Sequence, residues 1–379
     1  MMKIVIEKKD LSTITSQVYR AASSKNTIPV LSGLMIRAEE NRLTMTATDM
    51  EIGIKASTPH VDVVESGQVL VNAHYFADFI KVLPDTKIIL EYDPSRAKLK
   101  VSYGKSSGFL NTYREQEYPD LPLQNTEQII ALPQKTIKDA LRKTSFAAAQ
   151  SHFRQVFTGV LFDFDGDDKT LKVVASDTHR LAYFKYQITG DEIKQTSFII
   201  PSRTVNELSR WLEETDDLIG IALSPNNVVF YKENFTLISR LIEGQYPNYE
   251  QVIPSAAKTQ IMVDSHLFAN ILERAKVMPT DDKLKIPNVL INIRDNEAVL
   301  NSYSEMMGEI EEIIDDIQIS GDKDFKISFN TNYFLDVVKL LASESDEIFI
   351  NLNGSLGSAV INSNKQDYLY VLVPLRTSS

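Results

Sequence analysis

Cysteine is absent from all 379 residues. That excludes disulfides and thiolate metal sites, and it fits a reducing compartment such as the cytoplasm. No apolar run approaches the ~20 residues that a membrane span requires, so no membrane association is expected. Histidine is scarce and scattered, at His60, His74, His152, His179 and His266. None of these has the HxH or HExxH spacing that puts two ligands on one metal, so neither a metal nor a cofactor is expected. Positive charge is also in deficit: Lys+Arg 40 against Asp+Glu 51 leaves a formal net charge of −11. Taken alone, that argues against a nucleic-acid partner. Binding depends on local charge, however, and a net charge is an average over the whole molecule. The opening MMKIVIEKKD alternates apolar and polar residues and is soon charged, which reads as a strand and not a signal peptide.

What the chain does have is repetition. Its length exceeds what one core supports, so two or three domains are expected. GQVLVNAHYFADFIKVLPDTKIILEYD from Gly67, TSFIIPSRTVNELSRWLEETDDLIGIALS from Thr196 and DFKISFNTNYFLDVVKLLASESDEIFINLN from Asp324 share one pattern. Each reads as an alternating strand, a polar or proline break, a helical stretch, then an acidic turn into another strand. Lys81, Arg210 and Lys339 hold one register, 129 residues apart in both steps. A second set, KIVIEKKDLSTITSQVYRAASS, EQIIALPQKTIKDALRKTSFAAA and KTQIMVDSHLFANILERAKVMPT, interleaves with the first. The chain therefore reads as six strand–helix–strands units, grouped as three α+β domains. EQEYPDLP and EGQYPNYEQVIP echo one another, and proline there breaks strand pairing. Boundaries follow near 125 and 255, giving domains 1–125, 126–255 and 256–379.

Catalytic residue types cluster in VASDTHRLA (174–182), but the repeat explains part of that cluster. LTMTATDMEIGI (43–54) aligns with LKVVASDTHRLAYF (171–184) at a shift of 128, matching Asp49 to Asp177, and a related position lies near Ser304. Each copy reads as a hairpin, and Asp49 and Asp177 as turn residues that accept backbone hydrogen bonds. Neighbours on a hairpin alternate faces, so Ser176, Asp177 and His179 do not converge as a triad. YGKSSG (103–108) lacks the upstream glycine of a phosphate loop, Leu99 standing there, and reads as a hairpin turn. DFDGDD (163–168) lacks the closing glutamate of a calcium loop, Val174 standing there. EEIIDD (311–316) reads as a solvated strand face or an interface edge. No catalytic residue is assigned.

The helices carry the cations. They are Arg20 with Lys25, Lys81, Lys138 with Arg142 and Lys143, Arg203 with Arg210, Arg274 with Lys276, and Lys339. Every one of the six helices is read as presenting at least one cation toward its second half. The helix macrodipole favours cations at C-terminal ends and accounts for some of them. An acidic body with basic helices gathered on one surface would also attract a polyanion there through phosphate contacts, without sequence specificity.

Taken together, TDMEI (48–52), VASDTHRLA (174–182), RLIEGQYPNYEQVIP (240–254), FNTNYFLDVVKLL (329–341) and YVLVPLR (370–376) resemble the bacterial DNA polymerase III beta-subunit family, the sliding clamps, over essentially the whole chain. The resemblance implies a DNA clamp fold of three similar domains. Two crescents would close head to tail as a homodimer around duplex DNA, with helices lining the hole and antiparallel sheets outside. It implies no catalysis. It also implies partners recruited through short linear peptides: the DNA polymerase III alpha subunit, the clamp loader, other polymerases and repair proteins. The family's peptide groove maps onto Arg154, Phe157, Ser176, Thr178, His179, Arg180, Leu181, Pro247, Val252, Asn330, Tyr333, Leu356, Val371, Val373, Pro374, Leu375 and Arg376. Gln155 and Val156 depart from an aromatic pair common in the family. Phe157 and Leu356 stand where other aliphatic residues are common, which implies a different pocket depth. The C-terminal TSS forms a tail that could partly cover the groove. At the dimer interface the resemblance points to Phe109 in GFLN (108–111) meeting Val277 and Met278 of the partner.

Two other readings predict different behaviour. A repeat scaffold that binds only peptides would ignore charge reversal on the helices. A DNA-binding protein that grips phosphates would lose affinity with a log–log salt slope of about −0.9 per phosphate neutralised.

Overall fold

In the computed structural model, each of the six amphipathic segments is a helix that begins where a strand stops, with no loop between. Residues 1–24, 28–124, 126–190, 193–278, 286–294, 297–304 and 307–376 are described. The strand Met2–Glu7 runs into α1 (Lys8–Val18), and Gly67–Asn72 into α2 (Ala73–Val82). Glu127–Pro133 leads into α3 (Gln134–Thr144) and Thr196–Pro201 into α4 (Ser202–Trp211). Thr259–Asp264 leads into α5 (Ser265–Lys276), and Phe325–Asn330 into α6 (Thr331–Ala342). The break residues perform the switch. Asn72, Asp264 and Asn330 each accept a hydrogen bond from a backbone N–H of the first helical turn, satisfying donors the helix cannot. Of the other three units, two have Pro133 and Pro201 at the same place, where a missing N–H costs least, and the third has Glu7 with no side-chain cap.

The helices bury one face each. Leu11, Ile14 and Val18 of α1, Phe76 and Ile80 of α2, and Phe334, Val337, Val338 and Leu341 of α6 are essentially inaccessible. The strands supply the other half of each core by alternation, as in Met2, Ile4 and Ile6. Each such side chain is worth roughly 1.5–3 kcal/mol relative to exposure.

Every strand pairing among the described residues is antiparallel. The described residues divide into two compact units, Met1–Lys138 with Arg203–Leu241, and Asp139–Ser202 with Ile242–Ser379. The first holds a five-stranded sheet, in the order Asp62–Glu65, Met2–Glu7, Lys87–Asp93, Lys98–Tyr103, Ser106–Asn111, and an eight-stranded sheet. The second holds a nine-stranded and a four-stranded sheet.

These units cut across the sequence repeats because each large sheet joins strands from before and after a Tyr-Pro linker. In the first unit the strand Ile52–Thr58 pairs with Phe235–Arg240, Gly53 opposite Ile238. In the second, Arg180–Gln187 pairs with Tyr368–Leu372, Leu181 opposite Val371. Pairing the two edges satisfies backbone groups that would otherwise need water or a foreign strand. Among the described residues no helix is long and apolar enough to cross a membrane.

Candidate functional site

The hairpin read as turn chemistry is turn chemistry. Asp177 Oδ1 accepts from the backbone N–H of His179 and of Arg180, at 3.0 Å each. Ser176 Oγ accepts from the N–H of Thr178 and donates to the carbonyl of Arg180 at 2.7 Å. Thr178 sits at φ +76, the left-handed conformation this turn requires. The first copy repeats each feature. Asp49 Oδ1 accepts from Glu51 and Ile52, Thr48 Oγ1 donates to the Ile52 carbonyl, and Met50 has φ +79. The serine hydroxyl is spent on the backbone. The third copy runs into 305 and 306, outside the described residues.

Beside this turn, in the second unit, lies a cavity of roughly 290 Å³. Its lining includes Phe157, Ser176, Thr178, Arg180, Leu181, Pro247, Val252, Val371 and Val373, all named from the resemblance. Leu181, Val371 and Phe157 belong to one buried apolar cluster with Leu161 and Val174, which makes the floor. The far wall is the linker, and side chains from the strands hold it down. Tyr249 donates to Asp163 Oδ2 at 2.8 Å, and Lys172 bonds Glu250 Oε1 at 2.8 Å while lying 3.7 Å from Asp165. Burial and the neighbouring Asp163 carboxylate raise the Tyr249 phenol well above its ordinary range, so it stays a donor. Tyr246, Asn248, Tyr249 and Ser358 also line the cavity and were not named from the sequence. The Tyr-Pro echo between the linkers already pointed at Tyr246, but nothing local marks Ser358.

The remaining groove candidates lie outside that lining. His179 is exposed at the turn tip, and its carbonyl accepts from Val373 N–H at 2.9 Å. Arg154 stacks on the exposed Phe153, and Leu356 is 78% exposed. Asn330 is engaged as the cap of α6, and Leu375 N–H donates to the Ser328 carbonyl. Pro374 is half-buried and Arg376 exposed; the three-residue tail, Thr377 to Ser379, lies outside the described residues. Tyr333 stacks under the Arg180 guanidinium at 4.1 Å. That guanidinium reaches Asp177 Oδ2 at 3.0 Å, Asp336 Oδ2 at 2.7 Å and the Phe146 carbonyl at 2.7 Å. Arg180 thus braces the turn against α6. Val156 is buried in the cavity's cluster and Gln155 is exposed.

The cations divide sharply. Lys143 is buried, within 3.2 Å of Asp139, Glu344 and Asp367, so its assignment to a DNA-facing surface is corrected: its charge is consumed inside the protein. Arg203 opens α4 and pairs with Asp49, while Arg210 lies in its last turn. One position differs from the sequence reading. Arg20 lies on a 3₁₀ turn after α1. Arg142 pairs with Asp139 and Glu344, and Lys138 with Glu214. Arg210 pairs with Glu207, Arg274 with Glu312, and Lys339 with Glu273 at 2.5 Å. Arg20, Lys81 and Lys276 are exposed and have no carboxylate within 4.0 Å among the described residues. Lys25 lies outside the described residues.

Phe109 is 59% exposed on Ser106–Asn111, an edge strand of the five-stranded sheet. Val277 is 76% exposed just past α5, and Met278 is half-buried. Phe109 and Val277 are therefore not core residues. Gly104, at φ +57, turns YGKSSG back into that edge strand. Asp165 Oδ1 caps the DFDGDD tip by accepting from Asp167 and Asp168. Among the described residues no cluster of His, Cys, Asp or Glu could hold a metal.

Comparison with known proteins agrees along the whole chain. Family models for the DNA polymerase III beta subunit match its N-terminal domain at residues 2–122, its central domain at 131–248 and its C-terminal domain at 250–376. The beta sliding clamp of Halalkalibacterium halodurans is 32% identical, the match covering 99% of this chain and 100% of that one. That of Bacillus subtilis is 29% identical over the same shares. The crystal structure of the B. subtilis DNA polymerase sliding clamp superposes with a TM-score of 0.92, covering 100% of both chains at 29% identity. This chain belongs to the DNA polymerase III beta-subunit family, the bacterial sliding clamps.

Proposed function

We propose that this chain is a non-catalytic processivity clamp. Two copies close into a ring around duplex DNA, without sequence specificity, and tether the replicative polymerase to it. The observation that carries the reading is the full-length agreement in sequence and fold with DNA polymerase sliding clamps. The division into domains 1–125, 126–255 and 256–379 belongs to the same proposal and is supported by the three family models in series. The cavity beside Leu181 and Val371 takes short apolar peptides from the polymerase alpha subunit, the clamp loader, and other polymerases and repair proteins. An apolar floor with few polar groups suits that role. Of the helix cations named from the sequence, Arg20, Lys81 and Lys276 are the freest to meet phosphate. The setting is the cytoplasm.

Topology is the test. Protein loaded onto nicked circular plasmid by a cognate loader and ATP should stay with the circle on a sizing column and be lost once the plasmid is cut. Equal retention on circular and linear DNA, falling steeply with salt, would mean binding by contact and would end the clamp reading.

The dimer contact is proposed to place Phe109 of one copy against Val277 and Met278 of the other. An aspartate at position 109 would desolvate a charge against an apolar surface. Sedimentation velocity of Phe109→Asp should show monomers at a concentration where the parent is dimeric. An unchanged dimer would displace the interface from this strand.

A further inference from the structure

We propose that the seam between Ile52–Thr58 and Phe235–Arg240, in the first unit, is a second copy of the peptide pocket, held shut by Leu121 and Leu123 of the chain's own linker. The proposal rests on reading the cavity beside Leu181 as a peptide site.

The two seams match atom group by atom group, each within its own unit. Both have the aspartate turn with its hydroxyl neighbour, Thr48–Asp49 in one and Ser176–Asp177 in the other. Both close with the same backbone bond past the turn. Arg240 N–H donates to the Glu51 carbonyl at 2.8 Å, and Val373 N–H to the His179 carbonyl at 2.9 Å. In the first seam Gly53 faces Ile238, which faces Val229; in the second Leu181 faces Val371, which faces Val360. In each, a Tyr-Pro linker lies between the two seam strands in the sequence, Tyr118-Pro119 for the first and Tyr246-Pro247 for the second. Tyr118 holds the first linker in place, its hydroxyl accepting from Thr48 N–H at 3.0 Å.

The difference lies in what the third residue after each tyrosine does. At the second seam that residue is Tyr249, drawn away onto Asp163, and the space beside Leu181 and Val371 stays open. At the first seam the strand position of Asp163 is taken by Arg37. It faces Thr44 as Asp163 faces Lys172, and it cannot accept a hydrogen bond. The linker residue there is Leu121, and it turns inward. A Cβ added to Gly53 would stand 2.4 Å from Leu121 Cδ2, so the leucine lies against bare backbone where the other seam carries a leucine of its own. Leu123 follows through a tight turn, its N–H on the Leu121 carbonyl at 2.8 Å. Both leucines pack on Ala222, Val229 and Ile238. The occupant also defines the ligand class of the shut site: a short segment with two leucines one residue apart.

Two titrations of the full chain test this. The probes are the heptapeptide Tyr-Pro-Asp-Leu-Pro-Leu-Gln, residues 118 to 124, and a cognate polymerase peptide that binds the parent. The heptapeptide should compete with the polymerase peptide at the open pocket, and a version with both leucines replaced by alanine should be at least tenfold weaker. The double variant Leu121→Ser, Leu123→Ser should bind two polymerase peptides per chain where the parent binds one. If the polymerase peptide binds and the heptapeptide does not compete, Leu121 and Leu123 are ordinary packing and the proposal falls. A cooperatively folded double variant that still binds one peptide overturns it as well, and should the double variant not fold, the competition decides. If no peptide binds the parent, the reading of the open pocket fails first and takes this one with it.

Discussion

Placing aspartates at positions 252 and 373 together is expected to weaken peptide binding by about 100-fold, or about 2.8 kcal/mol. Val252 and Val373 line opposite parts of the cavity and are 55% and 39% exposed, so charge there is tolerated by the free protein. A bound apolar peptide would strip water from both carboxylates, and the cation among the described lining residues is not free to compensate. That cation, Arg180, is committed to Asp177, Asp336 and the Phe146 carbonyl. Titration calorimetry with a polymerase peptide reads the loss, and an unchanged unfolding temperature shows that the fold is intact. Affinity within threefold of the parent would place the peptide elsewhere. Leu375→Asp is expected to do less, because Leu375 lies outside the cavity lining and its backbone is tied to Ser328.

Lys143→Met should destabilise the second unit by about 3 kcal/mol, because it removes the one buried cation shared by three half-buried carboxylates, of which Asp139 and Glu344 keep Arg142. Lys143 sits among Asp139, Glu344 and Asp367 and over the Phe184 ring at 5.2 Å, so methionine keeps the volume and removes only the charge. The melting temperature should fall by roughly 10 °C at pH 7. The pH dependence has a definite sign. Burial works against the charged form of Glu344, but its bonds to Arg142 and Lys143 outweigh that and hold its carboxyl below the ordinary 4.5. Its contribution is therefore complete above about pH 4.5 and is lost as the pH falls through the lowered value. Burial likewise opposes the Lys143 ammonium, and the surrounding carboxylates overcome it, lifting the group above 10.5. Its contribution holds below that value and disappears only in strong alkali. The gap between parent and variant should thus be flat from about pH 5 to 10 and narrow progressively as the pH falls below 4.5. Scanning calorimetry at pH 3 and pH 7 measures it. A gap that persists in acid would mean that packing, not charge, is lost.

Much of the site was legible because it is written locally. The aspartate turns and the helix-capping Asn72, Asp264 and Asn330 rely on neighbours a few positions away, and the 128-residue echo marked the turns and the Tyr-Pro linkers twice. The helix cations were less legible. From the chain alone Lys143 and Lys81 look alike, yet one is buried among three carboxylates and the other stands in solvent. The partners Glu344 and Asp367 are more than 200 residues away in the sequence.

By itself, then, the sequence determined the six strand–helix units, their capping residues and the hairpin turns, since hydrogen bonds within a few residues and the period of apolar side chains specify these. Only the tertiary structure decided which strands join across the linkers, which cations stay free and which seam stays open. The reason is physical: those outcomes depend on long-range pairing and on volume. A glycine at 53 admits Leu121, whereas a leucine at 181 with Tyr249 bound to Asp163 leaves room for another chain.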